Sequence, residues 1–242
     1  MDFFYDLTII IPVFNEEKTI DKTIEILFEK IKNQDKKVQV IVIDDGSKDE
    51  TKNILKEKTQ DNFLFLFHNK NQGKGSAIRT GLNYVKGKYI VIQDADLEYD
   101  PKDIFKMLEK IENENLKVLF GSRLLNKENK KGRGDYLWGG KLVTFFTNIL
   151  YGQKLTDEPT CYKMFLSEEL LKMPLKCKRF EFCPEVTAYI SKAGNKIKEI
   201  PISYYPRTKD QGKKIAWHDG VEALWTLIKL KFKKVPFSKK DF

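Results

Sequence analysis

Between residues 7 and 121, short apolar runs alternate with stretches of helical spacing, and this alternation limits the possible folds more than any other feature of the chain. The runs at 7–12, 38–43, 63–67, 89–93 and 118–121 are of the kind that makes buried parallel strands. Between the first two, residues 17–32 carry Ile20, Ile24, Leu27, Phe28 and Ile31 at helical spacing. Ser47 or Asp49 can cap a helix running to about residue 59. A glycine-bearing loop at 71–77 feeds a helix through Val85, and another helix is predicted over 101–113. Strand and helix in strict alternation predict an α/β fold with a mostly parallel central sheet flanked by helices.

The second half is less regular. Residues 126–134 read as a charged loop, and 136–151 as a helix with a nearly continuous apolar and aromatic surface. A polar loop at 157–163 returns the chain to the sheet. Short helices are predicted at 167–173 and 184–193, a strand at 197–202, a basic loop at 204–214 and a last helix at 217–232. The expected division is a catalytic body over 1–215, then an amphipathic helix and basic tail over 216–242.

Net charge is +9, yet 41% of residues are hydrophobic, so the chain is not a disordered basic tail. A basic surplus suits nucleic acid, anionic lipid or phosphorylated substrates, and does not choose among them. Cys161, Cys177 and Cys183 lack metal-ligand spacing and read as buried thiols in a reducing compartment. The N-terminus reads directly as a strand, and no window approaches the roughly 18–20 apolar residues of a spanning helix. These features lead us to expect a soluble or peripheral protein on the cytosolic side of a membrane.

Polar groups stand at successive strand ends: Asn15 and Glu16, Asp44 and Asp45, then Asp94, Asp96, Glu98 and Asp100, then Arg123. A cluster such as the last acidic group can be a polar turn opening the next helix at Pro101. Several clusters at the carboxyl ends of parallel strands converge on one crevice, where such sheets bind ligands. Crowded carboxylates repel one another unless a cation sits among them, and hard oxygen ligands suit Mg²⁺ or Mn²⁺. Gly73-Lys74-Gly75 before a helix can present N–H groups and an ammonium to phosphate, although it is neither a Walker A nor a Rossmann loop. Arginine is rare here, confined to Arg79, Arg123, Arg133, Arg179 and Arg207 among 44 basic residues. Arg123 and Arg207 therefore mark places that need the bidentate fork for phosphate or carboxylate.

Pro12-Val-Phe-Asn-Glu16, Asp44-Asp45-Gly-Ser, Asn71-Gln-Gly-Lys-Gly-Ser, Gln93-Asp-Ala-Asp-Leu-Glu98, Gly121-Ser-Arg123, Asp157-Glu-Pro-Thr-Cys-Tyr-Lys, Phe182-Cys-Pro-Glu185 and Pro201-Ile-Ser-Tyr-Tyr-Pro-Arg207 occur in the order found in family 2 glycosyltransferases of the GT-A fold. Within them, the chain resembles the polyprenyl-phosphate hexose synthases, the dolichyl-phosphate mannose synthase branch. The resemblance implies that Pro12, Phe14, Glu16 and Asp45 hold the nucleoside, and that Gly73 and Lys74 lie by the diphosphate. Asp94 and Asp96 would hold Mg²⁺ or Mn²⁺ and the donor. Glu98, which stands where mannose synthases usually carry glutamine, would add a negative ligand and leaves GDP-mannose and UDP-glucose both open. Arg123, Lys141 and Arg207 would grip the acceptor phosphate and donor diphosphate, with Asp157 and Glu185 near the sugar. Catalytic roles thus fall to Asp96, Arg123, Lys141, Asp157, Glu185 and Arg207.

The implied reaction is an inverting transfer of a hexose to a polyprenyl phosphate. Such an acceptor is already anionic near neutral pH and needs cations rather than a general base. A glycan or protein hydroxyl acceptor would need Asp157 or Glu185 as base. The catalytic domain of this family often carries C-terminal spanning helices, so this chain reads as a membrane-associated form. The apolar surface of 136–151 and the lysines after 217–232 fit peripheral membrane contact. A non-catalytic basic module for membrane or nucleic acid leaves the carboxylates unexplained, and nucleic acid is not an expected partner.

Overall fold

The computed structural model describes residues 3–130, 136–207 and 217–235. Seven strands form one sheet in the order β3-β2-β1-β4-β6-β5-β7. These are β1 (Tyr5–Val13), β2 (Val38–Asp44), β3 (Phe63–Phe67), β4 (Gly87–Ile92), β5 (Val118–Ser122), β6 (Lys163–Leu166) and β7 (Lys198–Pro201). The helices are α1 (Ile20–Lys32), α2 (Thr51–Lys56), α3 (Lys74–Leu82), α4 (Lys102–Asn113), α5 (Tyr136–Tyr151), α6 (Ser167–Leu171), α7 (Phe182–Lys192) and α8 (Trp217–Phe232), with a 3₁₀ turn at Lys127–Lys130. β1 runs parallel to both β2 and β4, β2 to β3, and β5 to β7. The central strands are buried on both faces, which is why their middles are runs of Ile and Val, at 9–11 in β1 and 40–43 in β2; the polar Thr8 and Gln39 beside those runs are buried and hydrogen-bonded to each other. Because β2 and β3 lie on one side of β1 and β4 on the other, the order reverses at β1. In open α/β sheets the ligand crevice lies at such a reversal, here beyond the carboxyl ends of β1 and β4.

β6 is the strand that the sequence reading leaves as part of a loop. It inserts antiparallel between β4 and β5. Its four residues begin with Lys163, which the sequence places in a polar loop but which is 1% exposed. The ammonium donates to the carbonyls of Glu158 and Thr160 and lies 4.2 Å from the centre of the Phe120 ring. Carbonyls and an aromatic face replace the water that the buried charge loses.

The first helix starts at Ile20 rather than at residue 17, because residues 15–17 are tied to the loop after β2. Asn15 N–H donates to Ser47 Oγ, Lys48 N–H to Asn15 Oδ1, and Glu17 N–H to Asp49 Oδ2. Ser47 therefore bridges two loops instead of capping α2, whereas Asp49 Oδ1 still takes the N–H of Thr51. α2 is correspondingly short. Of the basic loop expected at 204–214, residues 208–214 lie outside those described, as do 131–134 of the charged loop.

Candidate active site

The loop after β4 carries the acidic cluster, and Leu97 within it sits at φ 60°, a left-handed conformation that is strained for a leucine. Asn15, in the loop after β1, is left-handed too, at φ 50°. The loop after β4 is tied both to α1 and to itself. Thr23 Oγ1 donates to the carbonyl of Ala95, and Asp96 Oδ1 takes the N–H of Glu98.

Arg207 reaches this crevice through segment 203–207, which two carboxylates hold. Asp103, buried at the start of α4, accepts from Ser203 N–H at 2.6 Å. Glu98 accepts from Arg207 N–H at 2.6 Å and from Tyr204 Oη at 3.0 Å, while its carbonyl takes Tyr205 N–H. The guanidinium of Arg207 then donates to both carboxylate oxygens of Glu16 (3.0 and 3.1 Å) and to Asp96 Oδ2 (3.2 Å). On the other side, Lys74 Nζ lies 2.5 Å from Asp94 Oδ1 and 3.6 Å from Cys161 Sγ. The expected groups Glu16, Lys74, Asp94, Asp96, Glu98 and Arg207 are thus gathered in one place.

Charge is unbalanced there. Four carboxylates (Glu16, Asp94, Asp96, Glu98) face two cations, Lys74 and Arg207. Burial, reinforced by neighbouring Asp94 and Glu98, pushes the Asp96 carboxyl up to about 7 against the opposing pull of Arg207. Burial also opposes the charge on Lys74, yet Asp94 beside it holds the ammonium well above the ordinary lysine range. An excess of hard, crowded oxygen donors fits a divalent cation, and Asp94 and Asp96 are the pair that would hold it. Glu98 is turned instead to Tyr204 and Arg207. Among the described residues, no group of three or more His, Cys, Asp or Glu is assembled as a metal cluster.

Asp45 is 2% exposed and already occupied. Its oxygens accept from Gln72 N–H, Gly73 N–H and His68 Nδ1 at 2.7–2.9 Å, and His68 Nε2 meets Thr80 Oγ1 at 2.9 Å. Asp45 therefore fixes the loop that carries Lys74. Gly73 has φ +96°, and a Cβ there would run into the carbonyl of Lys178. Pro12 lies in β1 opposite Ile43, and Phe14 follows directly after the strand.

Asp157 and Arg123 find each other across β5. Arg123 Nε and Nη2 donate to the two Asp157 oxygens at 2.7 Å each, and Arg123 N–H adds a third bond. Burial would raise the Asp157 carboxyl, but Arg123 overrides it and holds the group below the usual carboxylate range. The guanidinium carbon lies 5.0 Å from the centre of the Tyr204 ring, which links this pair to Glu98. Glu199 supports the pair from beneath by accepting from Thr156 N–H, Thr156 Oγ1 and Asp157 N–H.

Glu185 is buried, and its carboxylate accepts from Lys176 N–H and Cys177 N–H. Through residues 177–179, whose backbone packs on Gly73 and Gly75, it positions the Lys74 loop. Lys141 is exposed on α5. The sequence misses His68 and Glu199, and it presents Cys161 only as a buried thiol and Tyr204 only as part of a motif. His68 follows the end of β3 as Asp45 follows β2, and that placement is the signal that reveals it.

The model of glycosyl transferase family 2 matches residues 8–171. The chain is 31% identical over 249 residues to a UDP-N-acetylglucosamine–dolichyl-phosphate N-acetylglucosaminyltransferase of Methanococcus voltae, covering 94% of this chain and 96% of that one. A dolichyl-phosphate beta-glucosyltransferase of Dictyostelium discoideum is 26% identical over 245 residues, which cover 94% and 74% of the two chains. Among solved structures, glucosyl-3-phosphoglycerate synthase from Mycobacterium tuberculosis, crystallised with Mn²⁺, uridine diphosphate and phosphoglyceric acid, superposes with a TM-score of 0.70. Identity is 16%, over 97% of this chain and 81% of that one, so the likeness is one of fold and supports the GT-A arrangement. A match running from β1 through α6, with a relative aligned along nearly the whole chain, leaves one assignment: the chain belongs to glycosyl transferase family 2 and is a glycosyltransferase.

Proposed function

We propose that this enzyme moves a hexose or N-acetylhexosamine from a UDP-sugar to a polyprenyl or dolichyl phosphate, with inversion at the anomeric carbon. The observation that carries the reading is the gathering of Glu16, Arg207, Asp96, Asp94 and Lys74 at the switch point of the sheet. The choice of lipid phosphate and of uridine is supported by the activity of the Methanococcus voltae relative. GDP-mannose is the donor that this reading sets aside.

A phosphate oxygen of the acceptor attacks the anomeric carbon opposite the diphosphate. The bond from that carbon to the diphosphate oxygen breaks, and the nucleoside diphosphate leaves with the electron pair. No proton needs to be removed from an ionised phosphate. Lys74 stands where it can offset charge developing on the leaving diphosphate, and Arg207 where it can bring a second anion close. Asp94 and Asp96 would hold Mg²⁺ or Mn²⁺, which supplies electrostatic stabilisation of the diphosphate.

A hydroxyl acceptor fits less well. It requires a general base, and both carboxylates available for that role are committed, Asp157 to Arg123 and Glu185 to backbone N–H groups. Among the described residues, no helix is long and apolar enough to cross a membrane. Action at the cytoplasmic face is supported by the free thiols Cys161, Cys177 and Cys183.

The test is nucleoside diphosphate release from UDP-N-acetylglucosamine, UDP-glucose and GDP-mannose, with and without Mn²⁺ or Mg²⁺ and a short polyprenyl phosphate. Release that needs a UDP-sugar, metal and lipid phosphate together is the expected result. Release indifferent to the lipid phosphate would sink the acceptor assignment.

A further inference from the structure

We infer that α5 and α8 together form a docking face for an anionic lipid bilayer. The two helices pack on each other through Val143, Ala223 and Leu227, and Tyr151 Oη donates to the Leu227 carbonyl at 2.7 Å. On α8, Val221, Trp225, Ile228 and Phe232 follow the spacing i, i+4, i+7, i+11 and form one stripe. Ala223, Leu227 and Leu230, on the opposite side, are buried, so the inward packing of this helix is complete without the stripe. Trp225 is 64% and Phe232 82% exposed. The same division holds on α5, where Leu142, Phe145 and Ile149 point outward while Val143 and Thr147 are buried. Scattered exposed apolar residues are ordinary, but two adjacent helices that each turn such a stripe outward are not.

The charges beside the stripes choose the occupant. Lys141, Lys229, Lys231, Lys233 and Lys234 are exposed, and Glu222 is the one exposed acid among the described residues of the two helices and of the turn after α8. A second copy docking through the same two-fold face would bring both sets of lysines into one interface. A bilayer with anionic headgroups takes both parts at once, the apolar stripes below the headgroups and the ammonium groups among them. The inference builds on the lipid-phosphate acceptor proposed above, because docking brings the crevice to a substrate that cannot leave the membrane.

The full chain is sedimented with vesicles of phosphatidylcholine alone and of phosphatidylcholine mixed with phosphatidylglycerol. The expected result is binding to the mixed vesicles that weakens with salt. It falls about tenfold or more in Trp225→Ser/Phe232→Ser and in Phe145→Ser/Ile149→Ser. These exposed positions should leave the thermal melt intact. Transfer to water-soluble citronellyl phosphate should also be unchanged, while transfer to a long polyprenyl phosphate in vesicles drops with binding. Three results would overturn the inference: no binding of the wild type, equal binding by the variants, or a wild-type oligomer that the variants break. Vesicle binding without transfer to any lipid phosphate would support the face and remove the acceptor reading instead.

Discussion

Asp96 is placed badly for stability, and the proposed transfer gives a reason for it. Burial and the neighbouring carboxylates disfavour its charge, and Arg207 and the N–H of Glu98 offset them only in part. Asp96→Asn removes the repulsion while keeping the shape. Transfer should fall by roughly 10²-fold or more, with a melting temperature equal to or above that of the parent. Parallel assays of nucleoside diphosphate release and thermal unfolding check this, and a matched loss in both would mark the residue as structural. Asp157 behaves oppositely. Its buried bidentate pair with Arg123 means that Asp157→Asn strands a guanidinium and should cost about 3–5 kcal/mol in urea unfolding. The folded carboxyl titrates below its unfolded value, so its stabilisation is fully present above the ordinary aspartate range. It disappears as pH falls through the lowered folded value. The variant should therefore show a shallower acid limb in a plot of stability against pH.

At the scale of elements, the loop entering α3 depends on a conformation that an L side chain resists. Gly73 is left-handed against the carbonyl of Lys178, and a Cβ on Gly75 would lie 2.6 Å from the carbonyl of Cys177. Gly73→Ala should destabilise by about 1–3 kcal/mol and raise the KM for the donor, because Lys74 is carried by the same turn. Gly139, in α5, has nothing within 4 Å of an added Cβ. Gly139→Ala should instead stabilise by up to about 1 kcal/mol through helix propensity, with the transfer rate unchanged. If both variants lose stability alike, the special geometry claimed for Gly73 is wrong.

For the whole molecule, α8 is joined to the body more closely than the sequence division at residue 215 implies. Leu230 belongs to the main core, Leu227 is fully buried, and Lys192 Nζ donates to the Leu230 and Lys231 carbonyls at the end of α8. Removing residues 217–242 forfeits the burial of those two leucines, about 3–6 kcal/mol. Calorimetry of the full chain should show one transition, and the truncated chain should melt far lower. An unchanged body after truncation would restore α8 as an independent appendage.

The alternation of apolar runs with helical spacing was enough to determine the parallel strands β1 to β5 and their helices, because a strand buried on both faces is mostly apolar and admits a polar side chain only where a partner meets it, as Gln39 meets Thr8. The carboxylates at strand ends were legible for the same reason, since the carboxyl edge of such a sheet is one place. Tertiary structure alone decided how those groups pair. Glu16 and Arg207 lie 191 positions apart, and no periodicity links them. Asp157 and Glu185 read equally well as bases, and only the fold commits one to Arg123 and the other to backbone N–H groups. Lys163 reads as part of a polar loop, and only the fold closes carbonyls and an aromatic ring over it within β6. Strand and helix propensities act over a few residues and leave a trace in sequence. Pairing of buried charges depends on distance in space, and that is set only when the sheet is assembled.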